Sequence, residues 1–236
     1  MTDLRCATWP MFVCDNPPMS LENMPDDHLM LTYAAGDSAA FDVLYARHEG
    51  ALFRFVRRLL GHALSAQADE AFQDTWLKMV TARDSFQPEK MVGGASWKTW
   101  AFAIAHNTCM DRLRKSGREL VLADSDDADD GSVLDWLQNE LGNNSPSSED
   151  TAYWRAAGEQ LMHCLDALPE AQRAAFLMHH EEDCTLLELA AALHIAAEAA
   201  KSRLRYALQK LRGCMGSYLD GISAAVEVNA RQGVSA

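Results

Sequence analysis

Apolar side chains recur at three- and four-residue intervals along most of the chain, and no segment alternates with the period of a half-buried strand. Leu29, Leu31, Tyr33 and Ala34 predict a short helix. Pro25-Asp26-Asp27 opens it, with acids at the positive end of the dipole, and Gly36-Asp37 closes it. Phe41, Leu44, Tyr45, His48, Leu52, Phe55, Val56, Leu59 and Leu60 predict a long second helix. In a third, Ala71, Phe72, Thr75, Trp76, Met79 and Val80 take one side, while Asp69, Glu70, Gln73 and Asp74 take the other. Pro88 and Gly93-Gly94 mark a loop. A fourth helix follows from near Ser96, carrying Trp97, Trp100, Ala101, Ile104, Ala105, Thr108 and Leu113. The helical pattern returns later as Leu161, Leu165 and Leu168, then Phe176 and Leu177, then Leu186, Leu189, Ala190 and Leu193, and finally Ala200, Leu204, Leu208 and Leu211.

The stretch between the two helical runs has another character. Residues 119–150 hold ten acids (Glu119, Asp124, Asp126, Asp127, Asp129, Asp130, Asp135, Glu140, Glu149, Asp150) and no Lys or Arg. Such a like-charged block buries too little apolar surface to offset its ordering entropy and reads as a linker. Leu134, Trp136, Leu137 and Leu141 form a small amphipathic island within it. The expected architecture is therefore all-α: two small helical domains, 26–118 and 152–213, joined by an acidic flexible linker over 119–151. An irregular N-terminal tail over 1–25 and a C-terminal tail over 214–236 flank them, so folding is expected to begin near residue 26.

The 236 residues, 48% hydrophobic, suffice for one or two globular domains. No apolar run approaches the ~18 residues of a membrane span, and Asp3, Pro10, Asp15 and Pro17-Pro18 break up any secretory signal. Cys6, Cys14, Cys109, Cys164, Cys184 and Cys214 include no C-x-x-C pair, and reduced, mostly buried thiols in a cytoplasmic protein are the natural expectation.

Overall charge, −13, argues against nucleic-acid binding until it is mapped along the chain. Trp97 to Arg118 contains five bases (Lys98, Arg112, Arg114, Lys115, Arg118) against Asp111 alone, and Ala197 to Arg212 contains five (Lys201, Arg203, Arg205, Lys210, Arg212) against Glu198 alone. Two stripes of net +4 in an acidic protein are an electrostatic footprint for phosphate. Either could also be a solvated face.

The second stripe lies in a helix-turn-helix pattern. Thr185 and Glu188 make a capping box, His194-Ile195-Ala196 make the turn, and small Ala190, Ala191 and Ala200 permit a close crossing. Lys201, Ser202, Arg203 and Arg205 then point outward, as a recognition helix requires. An ordinary αα-hairpin is the alternative for this segment alone. In the first domain Trp97, Trp100 and Phe102 alternate with Lys98, pairing π-faces with cations as unstacked bases require. Core packing explains Trp100 better; for Trp97 both readings stand.

The run Ala68-Asp69-Glu70-Ala71-Phe72-Gln73-Asp74-Thr75-Trp76 resembles an acidic signature of bacterial extracytoplasmic-function sigma factors. Ser96-Trp97-Lys98-Thr99-Trp100 through Ile104-Ala105-His106-Asn107 to Asp111-Arg112-Leu113-Arg114-Lys115 resembles their basic helix. Leu168-Pro169-Glu170-Ala171-Gln172-Arg173 and Thr185 to Leu211 resemble their second domain. The resemblance covers residues 26–115 and 160–213, in order. It implies a sigma factor that binds core RNA polymerase and directs promoter recognition and melting. Asp69, Glu70, Gln73 and Asp74 would meet the beta-prime coiled coil. Trp97, Lys98, Trp100, Arg112, Arg114 and Lys115, with the loop Met91–Ser96, would capture the minus-ten element. Lys201, Ser202, Arg203 and Arg205 would read the minus-thirty-five element, with His179 near a phosphate. Promoter DNA and an anti-sigma factor are the further partners implied. His194 stands where the family has a turn glycine, and Glu198-Ala199 stands where it has Gly-Thr.

No catalytic role is expected. His179-His180-Glu181-Glu182-Asp183-Cys184 has metal-binding residue types but no second matching pair, so neither metal nor cofactor is implied. His106 and Cys109 lack an orienting third group. The rival reading is a helix-turn-helix regulator acting without polymerase. The acidic linker has two readings: a phosphate mimic that keeps the free protein off DNA, or an inert tether.

Overall fold

The computed structural model describes residues 20–88, 96–117 and 148–232, with side chains through residues 20–88, 96–117 and 155–218. All regular structure among these residues is helical. Residues 118–147, with most of the expected linker and its island Leu134–Leu141, and loop residues 91–95 lie outside the described residues, as does the N-terminal segment before residue 20.

The first domain holds α1 (Asp26–Ala34), α2 (Ser38–Leu60), α3 (Ala68–Thr81) and α4 (Trp97–Lys115). Helix α1 ends at Gly36, whose φ of +111° no side chain adopts readily. Asp37 then caps α2 by accepting a hydrogen bond from the Ala39 amide at 3.0 Å. The stripe anticipated on α2 is its buried face: Leu44, Leu52, Phe55, Val56, Leu59 and Leu60 are at most 1% exposed. Phe55 meets Phe102 of α4 edge to face at 5.1 Å, and Trp76 of α3 packs between Phe41 and Tyr45 of α2. Asp27 of α1 accepts from the Trp97 amide at 2.5 Å, capping α4 from another element.

The second domain holds α5 (Ser148–Asp166), α6 (Glu170–His180), α7 (Leu186–Leu193) and α8 (Ala197–Gln232). Pro169 sits at the α6 N-cap, where its missing N–H costs nothing. Helix α7 has the complete reciprocal capping box of Thr185 and Glu188. His194 takes the left-handed conformation, φ 53° and ψ 44°, so histidine does supply the shape expected of a turn glycine.

Several features differ from the sequence reading. Residues 148–151, expected in the linker, already belong to α5, and Leu21–Asn23, expected in the tail, form a 3-10 turn beside which Arg47 of α2 donates to the Glu22 and Met24 carbonyls, so ordered structure begins before residue 26. Helix α8 does not stop at Leu211 but continues to Gln232. Met215, 6% exposed, extends the buried row of Ala200, Leu204 and Leu211, and Gly213 and Gly216 face open space. The thiols are also not all reduced: Cys164 of α5 and Cys214 of α8 form a disulfide across Cα atoms 5.9 Å apart. Cys109 and Cys184 are free and buried, as expected of small apolar residues.

The domains share one contiguous buried cluster. Helix α7 packs on α4, and α6 and α5 pack on the end of α2.

Candidate nucleic-acid interface

Helix α3 turns its acids outward. Asp69, Glu70 and Gln73 are exposed and Asp74 is half-buried, while Ala71, Thr75, Trp76 and Met79 fill the core side. The face also carries Leu77, 63% exposed, which continues the row one turn beyond Gln73 and Asp74. Sequence reading sorted this helix into an apolar side and an acidic side and left Leu77 on neither.

Arg112 is not placed as expected. Its guanidinium lies 3.2 Å from Glu70 and also holds Asp74, and the side chain is only 14% exposed. Burial disfavours the charged guanidinium, but the two carboxylates outweigh that and raise its pKa. Arg112 therefore braces the acidic face from α4 instead of pointing to solvent. A groove of about 430 Å³ runs beside this brace, lined by Glu70, Asp74, Lys78, Asp111 and Lys115 among others.

Trp97 belongs to the core. It is 1% exposed, with its ring 4.6 Å from His48 and 6.4 Å from Trp76, so in this packing it has no face to offer a base. Trp100 is half-buried against Phe86 at 5.4 Å. Arg114 and Lys115 are exposed, although Arg114 pairs with Asp111 at 2.9 Å. Lys98 does not point freely to solvent; its Nζ lies 3.4 Å from Glu182 of the second domain.

On α8, Lys201 is exposed and Ser202, Arg203 and Arg205 are half-buried, while Ala200, Leu204 and Ala207 face the core. Arg205 stacks against Tyr206, with its Cζ 5.1 Å from the ring. The helix-turn-helix thus presents its cations along one side of the second helix. His179 donates from Nδ1 to the Cys184 carbonyl at 2.7 Å, which fixes its ring at the end of α6. Burial lowers the His180 pKa to about 4, helped by the His179 charge. Burial likewise lowers that of His106 to about 4 against its contact with Asn107, with Arg203, His194 and Arg114 adding repulsion. His106 on α4 therefore feels both the turn at His194 and the start of α8.

No group of His, Cys, Asp and Glu that could hold a metal ion occurs among the described residues. No described helix is long and apolar enough to cross a membrane.

A braced acidic helix and a capped helix-turn-helix thus stand together in one chain whose described residues form only helices. The Sigma-70 region 2 profile matches residues 44–119, and the Sigma-70 region 4 profile matches residues 158–211. The chain is 30% identical to the ECF RNA polymerase sigma factor RpoE of Cereibacter sphaeroides over 176 residues, spanning 75% of this chain and 86% of that protein. It is 31% identical to the ECF RNA polymerase sigma factor EcfG of Rhodopseudomonas palustris over 185 residues, spanning 78% and 88%. The chain belongs to the extracytoplasmic-function RNA polymerase sigma factors. The solved structure of CnrH in complex with the cytosolic domain of CnrY shares the fold, with a TM-score of 0.53 over 83% of this chain and 97% of that one, at 22% identity.

Proposed function

We propose that α3 engages core RNA polymerase, the beta-prime coiled coil in particular, through Asp69, Glu70, Gln73 and Asp74 with Leu77 as apolar anchor. The observation that carries this reading is the Arg112 brace, which fixes two of the three acids on a face that nothing in the described residues covers. Helix α8 reads the minus-thirty-five element through Lys201, Ser202, Arg203 and Arg205, with His179 beside the phosphate backbone. Lys98, Trp100, Arg114 and Lys115 of α4 serve the minus-ten element. Trp97 and Arg112 support these surfaces from beneath.

The chain supplies placement and no chemistry of its own; bond making belongs to the polymerase it joins, in the cytoplasm where that enzyme works. An anti-sigma factor is a further partner, by analogy with the sigma factor RpoE of Bartonella quintana, solved in complex with the anti-sigma factor NepR.

The test is association with core polymerase followed by run-off transcription from a promoter selected with the reconstituted holoenzyme. Lys201→Ala is expected to weaken promoter binding and to reduce the slope of log affinity against log salt by about 1. No association with core polymerase, or an unchanged salt slope, would overturn the assignment of these surfaces.

A further inference from the structure

Helix α2 ends in a cluster of cations that neither the acidic face of α3 nor the α8 surface uses. Arg57 and Arg58 lie three and four residues on from Arg54, so the three share one side of the helix, where like charges repel. Arg54 and Arg57 are exposed and Arg58 is half-buried. Glu181 pairs with Arg58, and Glu182 acts on Arg54 through space. Among the described residues, Arg54 and Arg57 make no side-chain hydrogen bond or ion pair.

The cluster borders a groove of about 450 Å³ between the end of α2, the turn that follows it and α5. Met162 and Leu165 of α5 line it with apolar surface, and His62 and Ser65 add polar groups beside the three arginines. Its lining has one carboxylate, Asp166, and that group is already committed. Asp166 Oδ2 accepts from the His62 amide at 3.1 Å, and Oδ1 lies 3.6 Å from Arg173 Nη1, a buried cation that balances it.

A helix C-terminus ordinarily repels an anion. Arg173 of α6, 4% exposed, removes that obstacle by donating to the carbonyls of Leu59 at 3.2 Å and Arg58 at 3.4 Å, which a helix end leaves without partners. The same guanidinium bonds the Asp166 and Leu168 carbonyls at 2.8 and 3.1 Å, so it ties α2 to the end of α5. Gly61 makes room for it. A Cβ there would stand 2.5 Å from Arg173 Nη1 and 2.8 Å from Asp166 Oδ1, and the φ of +67° is itself strained for other residues.

We infer that this groove binds a nucleoside polyphosphate, with its phosphates on Arg54 and Arg57 and its base against Met162 and Leu165. Guanidinium forks match phosphate oxygens in pairs, and two of them without a carboxylate suit more than one phosphate. The volume is that of a small-molecule site, and such sites combine apolar lining with a few charged groups. The apolar side chains suit a flat base, which inorganic phosphate and sugar phosphates lack. The site shares no residue with the surfaces assigned to polymerase and promoter, so it stands or falls apart from the sigma-factor reading.

Calorimetric titration of the full chain, without polymerase or DNA, tests this with ATP, GTP, inorganic tripolyphosphate and adenosine as probes. At least one of the two nucleotides is expected to bind about tenfold or more tightly than tripolyphosphate, and adenosine to give no binding heat. Arg54→Gln combined with Arg57→Gln, both at exposed positions that spare the fold, is expected to weaken nucleotide binding about tenfold or more. Met162→Ala is expected to narrow the gap between nucleotide and tripolyphosphate. Arg155→Gln, which removes a cation 83% exposed elsewhere on α5, is expected to keep wild-type affinity. An 8-azido-ATP photolabel is expected on residues 54–65 or 162–166. No nucleotide binding, tripolyphosphate binding as tightly as both nucleotides, unchanged affinity in the double arginine variant, or label confined to α8 would each overturn the site.

Discussion

Arg112 of α4 holds Asp74 of α3, and its other amino group lies 3.2 Å from Glu70. The cation is largely covered but its partners are not: Glu70 is 71% exposed and Asp74 45%, so solvent screens the carboxylate side. The arrangement adds about 1 kcal/mol to stability and fixes two carboxylates in register. Arg112→Ala is expected to lower the urea midpoint by that modest amount while reducing affinity for core polymerase more than tenfold. Arg112→Lys, one point charge in place of a fork, is expected to keep most of the stability and little of the affinity. Equal losses in both quantities for the two variants would sink the brace.

Leu77 separates binding from folding. It is 63% exposed, so Leu77→Asp is expected to change unfolding free energy by no more than about 0.5 kcal/mol. Burying a leucine against a partner contributes about 1.5–3 kcal/mol, so association with core polymerase is expected to weaken by about 10- to 100-fold. Titration of labelled chain with core enzyme measures it, and wild-type affinity would remove Leu77 from the contact.

The Cys164–Cys214 bond spans 50 residues of sequence, and a loop of that size stabilises a fold by about 4 kcal/mol in the chain-entropy account. Reduction is expected to lower the melting temperature of the chain, read by calorimetry with and without reductant. Burial pushes the Cys109 and Cys184 thiols up to about 12. Alkylation mapped by mass spectrometry at neutral pH is therefore expected to spare both in the folded chain. Cys164 and Cys214 become modifiable only after reduction. Labelling of unreduced Cys214 would contradict the bond.

Acid acts on the histidines. Burial lowers His106 and His180 from 6.5 to about 4, so between those values the unfolded chain binds protons that the folded chain refuses. Stability is then full above pH 6.5 and declines toward pH 4. Asp26 enters later: burial raises its pKa, but His48 and Arg47 outweigh that and hold it below 3.8, so its contribution is lost only in stronger acid. Denaturant melts at successive pH values check the order. His106→Gln is expected to flatten part of the slope above pH 4, and an unaltered slope would rule His106 out.

Elements with a local signature were legible in the sequence. The capping box of Thr185 and Glu188 and the turn at His194 depend on residues within one turn of each other, so spacing alone located them. Partners far along the chain were not legible. Trp97 sits on a helix whose aromatics are consistent with a core or a base platform, and the decision lies with Asp27 and His48, distant in sequence. Arg112 counted as one cation of a basic stripe, because charge runs say nothing of acids 38 and 42 residues away. The disulfide and the Arg173–Gly61 contact hide for the same reason. The extension of α8 had a local signal, Met215 and Tyr218 continuing the spacing of Leu211, which the adjacent glycines obscured.

One unbroken rod of 36 residues, about 54 Å long, carries Lys201 near its beginning and runs well past the covalent tie at Cys214. Ala200, Leu204, Ala207, Leu211 and Met215 seat its first half in the core, so the half beyond Cys214 is an outrigger whose direction is set by that seating.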